Sequence, residues 1–423
     1  KNTAFGKKGA EIMTIQKLVS FIAFFAFPVL YAQQDTVMQL KEVVITDTQL
    51  RDLSHTQKVI AITDSVILRS PASITSLLTF NTPMYFKENG YGMVSSPSFR
   101  GTTASQTAVV WNGININSQL NGQTDFGATT ARGFDGISVR AGGGSVIYGS
   151  SAIGGSIHLN SGLQFGNHFD NVLLAEYGSF NTVGGLYKMS AGTDRLAASA
   201  ALIRNSSDND YRYPGYELTN TNGQYYNTSA NTAFGYKLDG RNIIRLYSYW
   251  YSGERHFSGT LVAPSRDKYQ DDVVRNMAEW LGAYGKFTSK LKLAALHEKY
   301  RYYRDVQLDS HTFGNVNSYI ARYDARYSFT EKFFVNAIAD YTANKGTGSD
   351  ILPKTREIVS GALLAGRRLT DKLGYEAGLR AESTAADRSP LLYSAGLWYT
   401  PARLYKLRVN GSRNFRLPTY NDV

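Results

Sequence analysis

The chain has 423 residues, no cysteine and a formal net charge of +11. Without cysteine there is no disulfide framework, thiolate metal site or cysteine nucleophile, so an exported form must draw its stability from extensive hydrogen bonding. Its Lys and Arg are dispersed among Tyr, Ser and Asn with no basic run or nucleic-acid motif, which argues against nucleic acid and suits anionic lipid head groups or anionic ligands.

From Met13 the chain reads as a secretory signal peptide: Lys17, then an apolar run from Leu18 to Tyr31 ending in the small residue Ala32. A membrane-spanning helix needs about 20 apolar residues, and this stretch is shorter. Residues 1–12 do not resemble an n-region and read as upstream sequence, with 13–32 as the signal. No later segment is apolar enough for a membrane helix.

Residues 33–48 form a short polar linker around Leu40-Lys-Glu-Val-Val-Ile-Thr-Asp47. Val43, Val44 and Ile45 favour an extended chain, and no neighbour yet exists to bury them. An exposed strand of this kind invites a partner to add one of its own. The segment resembles the TonB box of TonB-dependent receptors. That resemblance implies pairing of Val43, Val44, Ile45 and Thr46 with TonB of the TonB–ExbB–ExbD complex.

Residues 49–162 carry the more specific motifs. Phe99-Arg100-Gly101 leads into a β-prone run closed by Asn112-Gly113, a tight-turn pair whose residues tolerate positive φ. Ala141-Gly-Gly-Gly-Ser-Val-Ile-Tyr-Gly149, followed by Ala152-Ile-Gly-Gly155, resembles the signature of the plug domain of the same receptors. It departs from the family in Gly143-Gly144, where Gly-Pro is usual, and in Val146, where Ala is usual. A phosphate-binding loop would need Gly-Lys-Ser/Thr opening a helix, which is missing, so these glycines read as structural.

Beyond residue 162 the pattern turns periodic. Tyr319, Ala321, Tyr323, Ala325 and Tyr327 alternate with Ile320, Arg322, Asp324 and Arg326. Similar runs start at Tyr375 and Tyr405. Period-two alternation over about nine residues, bounded by aromatics, fits tilted strands that cross a bilayer and close on one another. About thirteen strands are expected between Asn171 and Phe415. A barrel holding a plug needs about 22. Asn414 to Asp422 resembles the Phe-Arg-x-Pro-Thr-x-Asn-Asp stretch midway along these barrels. Residues 163–423 therefore read as a partial barrel, truncated at Val423. The expected fold is an all-β transmembrane barrel with an N-terminal α+β plug domain in its lumen, in the outer membrane among lipid and lipopolysaccharide.

No histidine pair has metal-ligand spacing, and the Gly-x-Ser-x-Gly elbow of hydrolases is missing, so no enzyme is expected. His158 reads as structural. Asp208 and Asp210, with Glu217, lie in an Asn/Tyr-rich loop; a structural Ca²⁺ there is the one metal the sequence leaves open, against a simply solvated loop. No other cofactor is implied. Arg100-Gly-Thr-Thr-Ala-Ser105 and Asn112-Gly-Ile-Asn-Ile-Asn117 resemble the vitamin B12 receptor branch, which implies a corrinoid ligand, with a ferric siderophore as the alternative. The resemblance places ligand contacts on outward plug loops, for which Tyr91, Gln119 and Leu120 are the candidates. A passive porin or surface adhesin would explain the strands but not the plug motifs.

Overall fold

The computed structural model describes residues 48–422 apart from 89, 91 and 387. The signal peptide, the TonB-box-like segment Val43–Thr46 and Tyr91 therefore lie outside the described residues.

The first part of the chain is a small α+β unit. Helix α1 (Thr48–Asp52) leads to β1 (Val59–Thr63), then α2 (Asp64–Arg69) and α3 (Ile74–Asn81). Ser73 starts α3 by accepting a bond from the Ser76 amide at 3.3 Å, which satisfies one of the donors a helix start leaves open. The face carrying Ile74, Leu77 and Leu78 is fully buried. A hairpin of β2 (Tyr85–Glu88) and β3 (Ser95–Ser98) follows, then β4 (Thr107–Trp111), β5 (Ile114–Asn115), β6 (Gly136–Ala141), the short helix α4 (Ser145–Tyr148) and β7 (Gly155–Asn160). Five of these strands make one sheet in the order β1-β6-β7-β4-β5. Strands β4 and β7 are parallel and are buried on both faces, so they read as continuous apolar runs rather than alternating ones.

Glycine is required at two places here. The turn from β4 to β5 puts Asn112 at φ 45° and Gly113 at φ 89°, the left-handed pair that a two-residue hairpin demands. At Gly155 the strands approach so closely that a Cβ would fall 2.7 Å from the Arg140 carbonyl oxygen. His158 is fully buried, bonds Ser156 at 2.9 Å and meets the Tyr148 ring edge-on at 4.8 Å, which is a structural role.

Thirteen strands follow: β8 (His168–Gly178), β9 (Thr182–Gly192), β10 (Leu196–Ser207), β11 (Tyr225–Lys237), β12 (Asn242–His256), β13 (Lys268–Tyr284), β14 (Phe287–Tyr303), β15 (Thr312–Thr330), β16 (Phe333–Gly348), β17 (Lys354–Arg368), β18 (Leu373–Thr384), β19 (Leu392–Ala402) and β20 (Tyr405–Arg413). Each pairs antiparallel with its chain neighbours, so the ladder runs unbroken from β8 to β20. Alternation sorts the two faces as the sequence suggests. Tyr319, Tyr323 and Tyr327 stand outside at 50%, 39% and 43% exposure, whereas Arg322 between them is 7% exposed. Leu293, Leu363, Leu379 and Val409 add to the apolar exterior. Among the described residues no helix is long and apolar enough to cross a membrane. In hydrocarbon, strands must satisfy their backbone groups between themselves; β9 to β19 are paired on both sides, whereas β8 and β20, the two ends of the sheet, are each paired on one side only.

The two rims differ. One carries tight turns such as 285–286, 331–332 and 403–404, and the other carries long loops such as 208–224, 257–267 and 304–311. Inward side chains of successive strands reach the plug in order around it. Glu176 of β8 holds Arg132 at 2.5 Å, and Lys188 of β9 holds Asp64 at 2.6 Å and Asp135 at 2.8 Å. Asn231 of β11 donates to the Gly133 carbonyl at 2.6 Å, and Tyr249 of β12 stacks on Phe134 at 5.8 Å. Lys292 of β14 donates to the Asn112 carbonyl, and Asn410 of β20 donates to that of Thr56 at 2.9 Å. The core is shared as well: Tyr247, Tyr249, Tyr251 and Met277 of the wall close the plug cluster of Ile137, Ile157, Trp111 and Phe134.

Candidate ligand vestibule and plug anchors

At the loop rim the plug presents the turn after β5 and the hairpin of β2 and β3. Asn117 builds the turn. Its side-chain oxygen accepts from the Val109 amide at 2.7 Å, and its amide nitrogen donates to the carbonyls of Thr107 and Gly122 at 3.0 Å each. Gln119 and Leu120, expected to meet ligand, sit on this turn but face protein. Leu120 is 3% exposed and packs with Val316 and Tyr420, while the Gln119 side chain accepts from Arg356 and its carbonyl from the Tyr420 amide. Residues 414–422 thus fold inward over the plug. Leu417 donates its amide to Ser150 Oγ at 2.9 Å, and the Tyr420 hydroxyl donates to the Asn344 carbonyl at 2.9 Å.

The hairpin is held from below by Asp125. One carboxylate oxygen accepts from the amides of Gly127 (2.9 Å) and Ser95 (3.3 Å), and the other pairs with Arg255 of β12 at 2.6 Å. Arg255 is 4% exposed and also pairs with Asp271 at 3.0 Å. Its guanidinium lies 5.6 Å from the centre of the Tyr269 ring and 5.9 Å from that of Phe257. Tyr269 in turn contacts Tyr300 and Tyr302, with ring centres 5.8 and 4.9 Å apart. These half-buried rings line the loop-rim ends of β13 and β14 and the start of loop 257–267. An aromatic shelf of this kind suits a large, flat ligand, because rings stack on π faces, while the charge of Arg255 is already taken up by Asp125 and Asp271. Burial, with Asp125 adding to it, pushes the Glu88 carboxyl above its usual range.

Sequence reading missed this shelf. Tyr, Arg and Phe at period two look alike wherever they fall, and only the density of Tyr300-Arg-Tyr-Tyr303 beside a loop hinted at it.

At the turn rim the segment following the TonB-box-like residues is strapped to the wall. The Glu376 carboxylate accepts from the His55 amide at 2.8 Å and from Thr56 Oγ1 at 2.7 Å. Arg408 donates to the His55 carbonyl at 3.1 Å, and Gln57 donates to Asn410 at 3.0 Å. Asp52 pairs with Arg326, and Gln49 bonds both Asp324 and Arg322. Burial holds the His55 imidazole below its ordinary pKa, against the opposing pull of Glu376.

The loop proposed for Ca²⁺ does not gather its carboxylates. Asp208 accepts from Asn181 at 3.1 Å, and Glu217 pairs instead with Arg212. Among the described residues no group of three or more His, Asp or Glu side chains is arranged to hold a metal ion.

Residues 51–156 match the family model of the TonB-dependent Receptor Plug Domain. The chain is 22% identical over 339 residues to the vitamin B12 transporter BtuB of Photobacterium profundum, covering 79% of this chain and 55% of that protein. It is 21% identical over 361 residues to BtuB of Vibrio vulnificus, with the same coverage. The chain thus spans about half the length of the curated relatives it matches. Among solved structures, the FrpB iron transporter of Neisseria meningitidis superposes with a TM-score of 0.73 at 13% identity, over 87% of this chain and 65% of that one. The siderophore receptor PirA of Acinetobacter baumannii gives 0.71 at 13% identity, over 88% and 62%. Residues 51–156 thus carry a TonB-dependent receptor plug domain, held by a wall of thirteen antiparallel strands with the fold of the solved receptors it resembles.

Proposed function

We propose that the protein is an outer-membrane transporter, not a catalyst, that binds a large scarce ligand at the loop rim and admits it when TonB pulls on Val43–Thr46. One observation carries this reading: the plug is fastened to wall strands from β8 to β20, which obstructs free diffusion of a large solute along the wall's inner face. The outer membrane has no ATP, and traction on a segment adjoining the strap is a physically sufficient way to displace such a plug. Uptake by intact cells should stop when the proton-motive force collapses while surface binding persists; uptake that continues would favour a passive pore.

For the ligand we infer a corrinoid, on the strength of Arg100–Ser105, Asn112–Asn117 and the two B12-transporting relatives. The shelf of Tyr269, Tyr300 and Tyr302, on which a flat ligand can stack, favours a second reading, a ferric siderophore. Titrating cobalamin against ferric siderophores separates the two, and tighter siderophore binding would overturn the first.

A further inference from the structure

Beside the plug turn that carries Gln119 lies a polar cavity of about 120 Å³, bounded by that turn, by Leu417 and Thr419 of the inward-folded segment and by the inner face of β15–β18. One water needs about 10–15 Å³ of such room, so the space admits a small polyatomic guest. Two inward rows of the wall border it. Nearer the loop rim, Ser318, Asn344 and Arg356 stand opposite one another on β15, β16 and β17. Four residues closer to the turn rim on each strand, Arg322, Asp340 and Ser360 form a second row, continued by Glu382 on β18. Side chains directly opposite in this way lie within reach of one another.

The second row pairs its own charges. Arg322 meets Asp340 at 3.3 Å, and Arg380 meets Asp340 at 3.0 Å and Glu382 at 3.1 Å. The first row holds a guanidinium and no carboxylate, so the lining as a whole carries three guanidinium groups against two carboxylates. Asn344 is fully buried. Its side-chain oxygen accepts from Ser318 Oγ at 2.6 Å, but its amide nitrogen, also on the cavity, has no partner among the described residues. A buried donor left unmade is costly, and native structures give such groups an acceptor. Arg356, its neighbour, reaches from the cavity to the covering segment. It donates to Gln119 and to the Pro418 carbonyl, and its guanidinium lies 5.1 Å from the centre of the Tyr420 ring. A free donor beside a guanidinium, in a lining with one cation in excess, matches a guest that accepts hydrogen bonds and carries negative charge.

We propose that this cavity is a site for a small oxyanion of the size of inorganic phosphate or sulfate, held by the Asn344 amide and Arg356, and that the bound anion fastens residues 414–422 over the plug turn. The site shares no residue with the aromatic shelf and does not depend on the transporter reading. The purified full chain is titrated with inorganic phosphate, and separately with sulfate, against a sodium chloride background of equal ionic strength. Trypsin cleavage after Arg416 reports on the covering segment, and cleavage after the exposed loop residue Arg212 is the internal control. Phosphate should bind saturably and slow cleavage at Arg416 about tenfold, with Arg212 unchanged. Asn344→Asp keeps the side chain's size and the acceptor for Ser318 but sets a carboxylate oxygen where the free donor stood. It should weaken phosphate binding at least about tenfold, since a hydrogen bond to a charged group is lost. It should also protect Arg416 without phosphate, because the new carboxylate pairs with Arg356 in the anion's place. Arg356→Gln tests the same site independently and should lose both binding and protection. No saturable binding by the wild-type chain overturns the site and leaves a water-filled cavity. Equal affinity in Asn344→Asp and Arg356→Gln means an adventitious ion only, bound elsewhere, and also overturns it. Binding that leaves Arg416 as cleavable as before overturns the fastening.

Discussion

Replacing Arg255 by Met keeps most of the side chain's bulk and removes its charge. In the native structure the guanidinium pairs with Asp125 at 2.6 Å and Asp271 at 3.0 Å while only 4% exposed. Removing one partner of a buried ionic group leaves the other uncompensated, which costs about 3–5 kcal/mol. Here two carboxylates are left facing each other. Asp125 is also the acceptor for Ser95 and Gly127, so the loss should appear first as opening of the β2–β3 hairpin rather than melting of the wall. Each 1.4 kcal/mol is tenfold in population, so the open hairpin should become at least about a hundredfold more populated. Limited proteolysis reads this directly when opening is fast compared with cleavage, with the intact wall strands as internal standard. A double-mutant cycle with Asp125→Asn isolates the pair, and the coupling should exceed about 0.5 kcal/mol. A rise in cleavage below tenfold, or additive single effects, would refute the claim that this pair fastens the hairpin.

Val44→Pro removes a main-chain donor and fixes φ, so it should abolish uptake while leaving surface binding unchanged; normal uptake by a well-expressed variant would remove the TonB-box assignment. Glu88 has a folded pKa raised above 4.5 by burial, so the folded state holds its proton more tightly than the unfolded chain does. The contribution of Glu88 to plug stability should therefore be fully present below pH 4.5 and be lost as pH rises through the raised value, and Glu88→Gln should remove that component of the pH dependence in proteolysis profiles. Tyr300→Ala takes one ring from the shelf and should weaken ligand binding up to about tenfold with little change in thermal stability. Equal binding by the variant would place the ligand elsewhere on the rim.

The sequence alone determined the periodic part of the molecule. In Tyr319 to Tyr327 the two-residue repeat is a local property of an extended chain, so the faces of β15 were legible without knowing any partner. Asn112-Gly113 was equally local, because the positive φ values of a two-residue turn admit few residues. The plug was readable through its glycines, which record close backbone approach. What the tertiary structure alone decided are the meetings of residues far apart in the chain. Gln119 and Leu120 sit on the expected turn, yet Tyr420 and Arg356 cover them, and nothing near residue 119 signals that. Asp125 with Arg255, His55 with Glu376, and Gln49 with Asp324 join partners hundreds of residues apart in the widest case. Such pairs leave no periodic trace, because a charged inward residue reads the same whether it meets a plug carboxylate, a ligand or water. Strand register and the position of the plug against the wall decide which it meets, and those are properties of the assembled molecule.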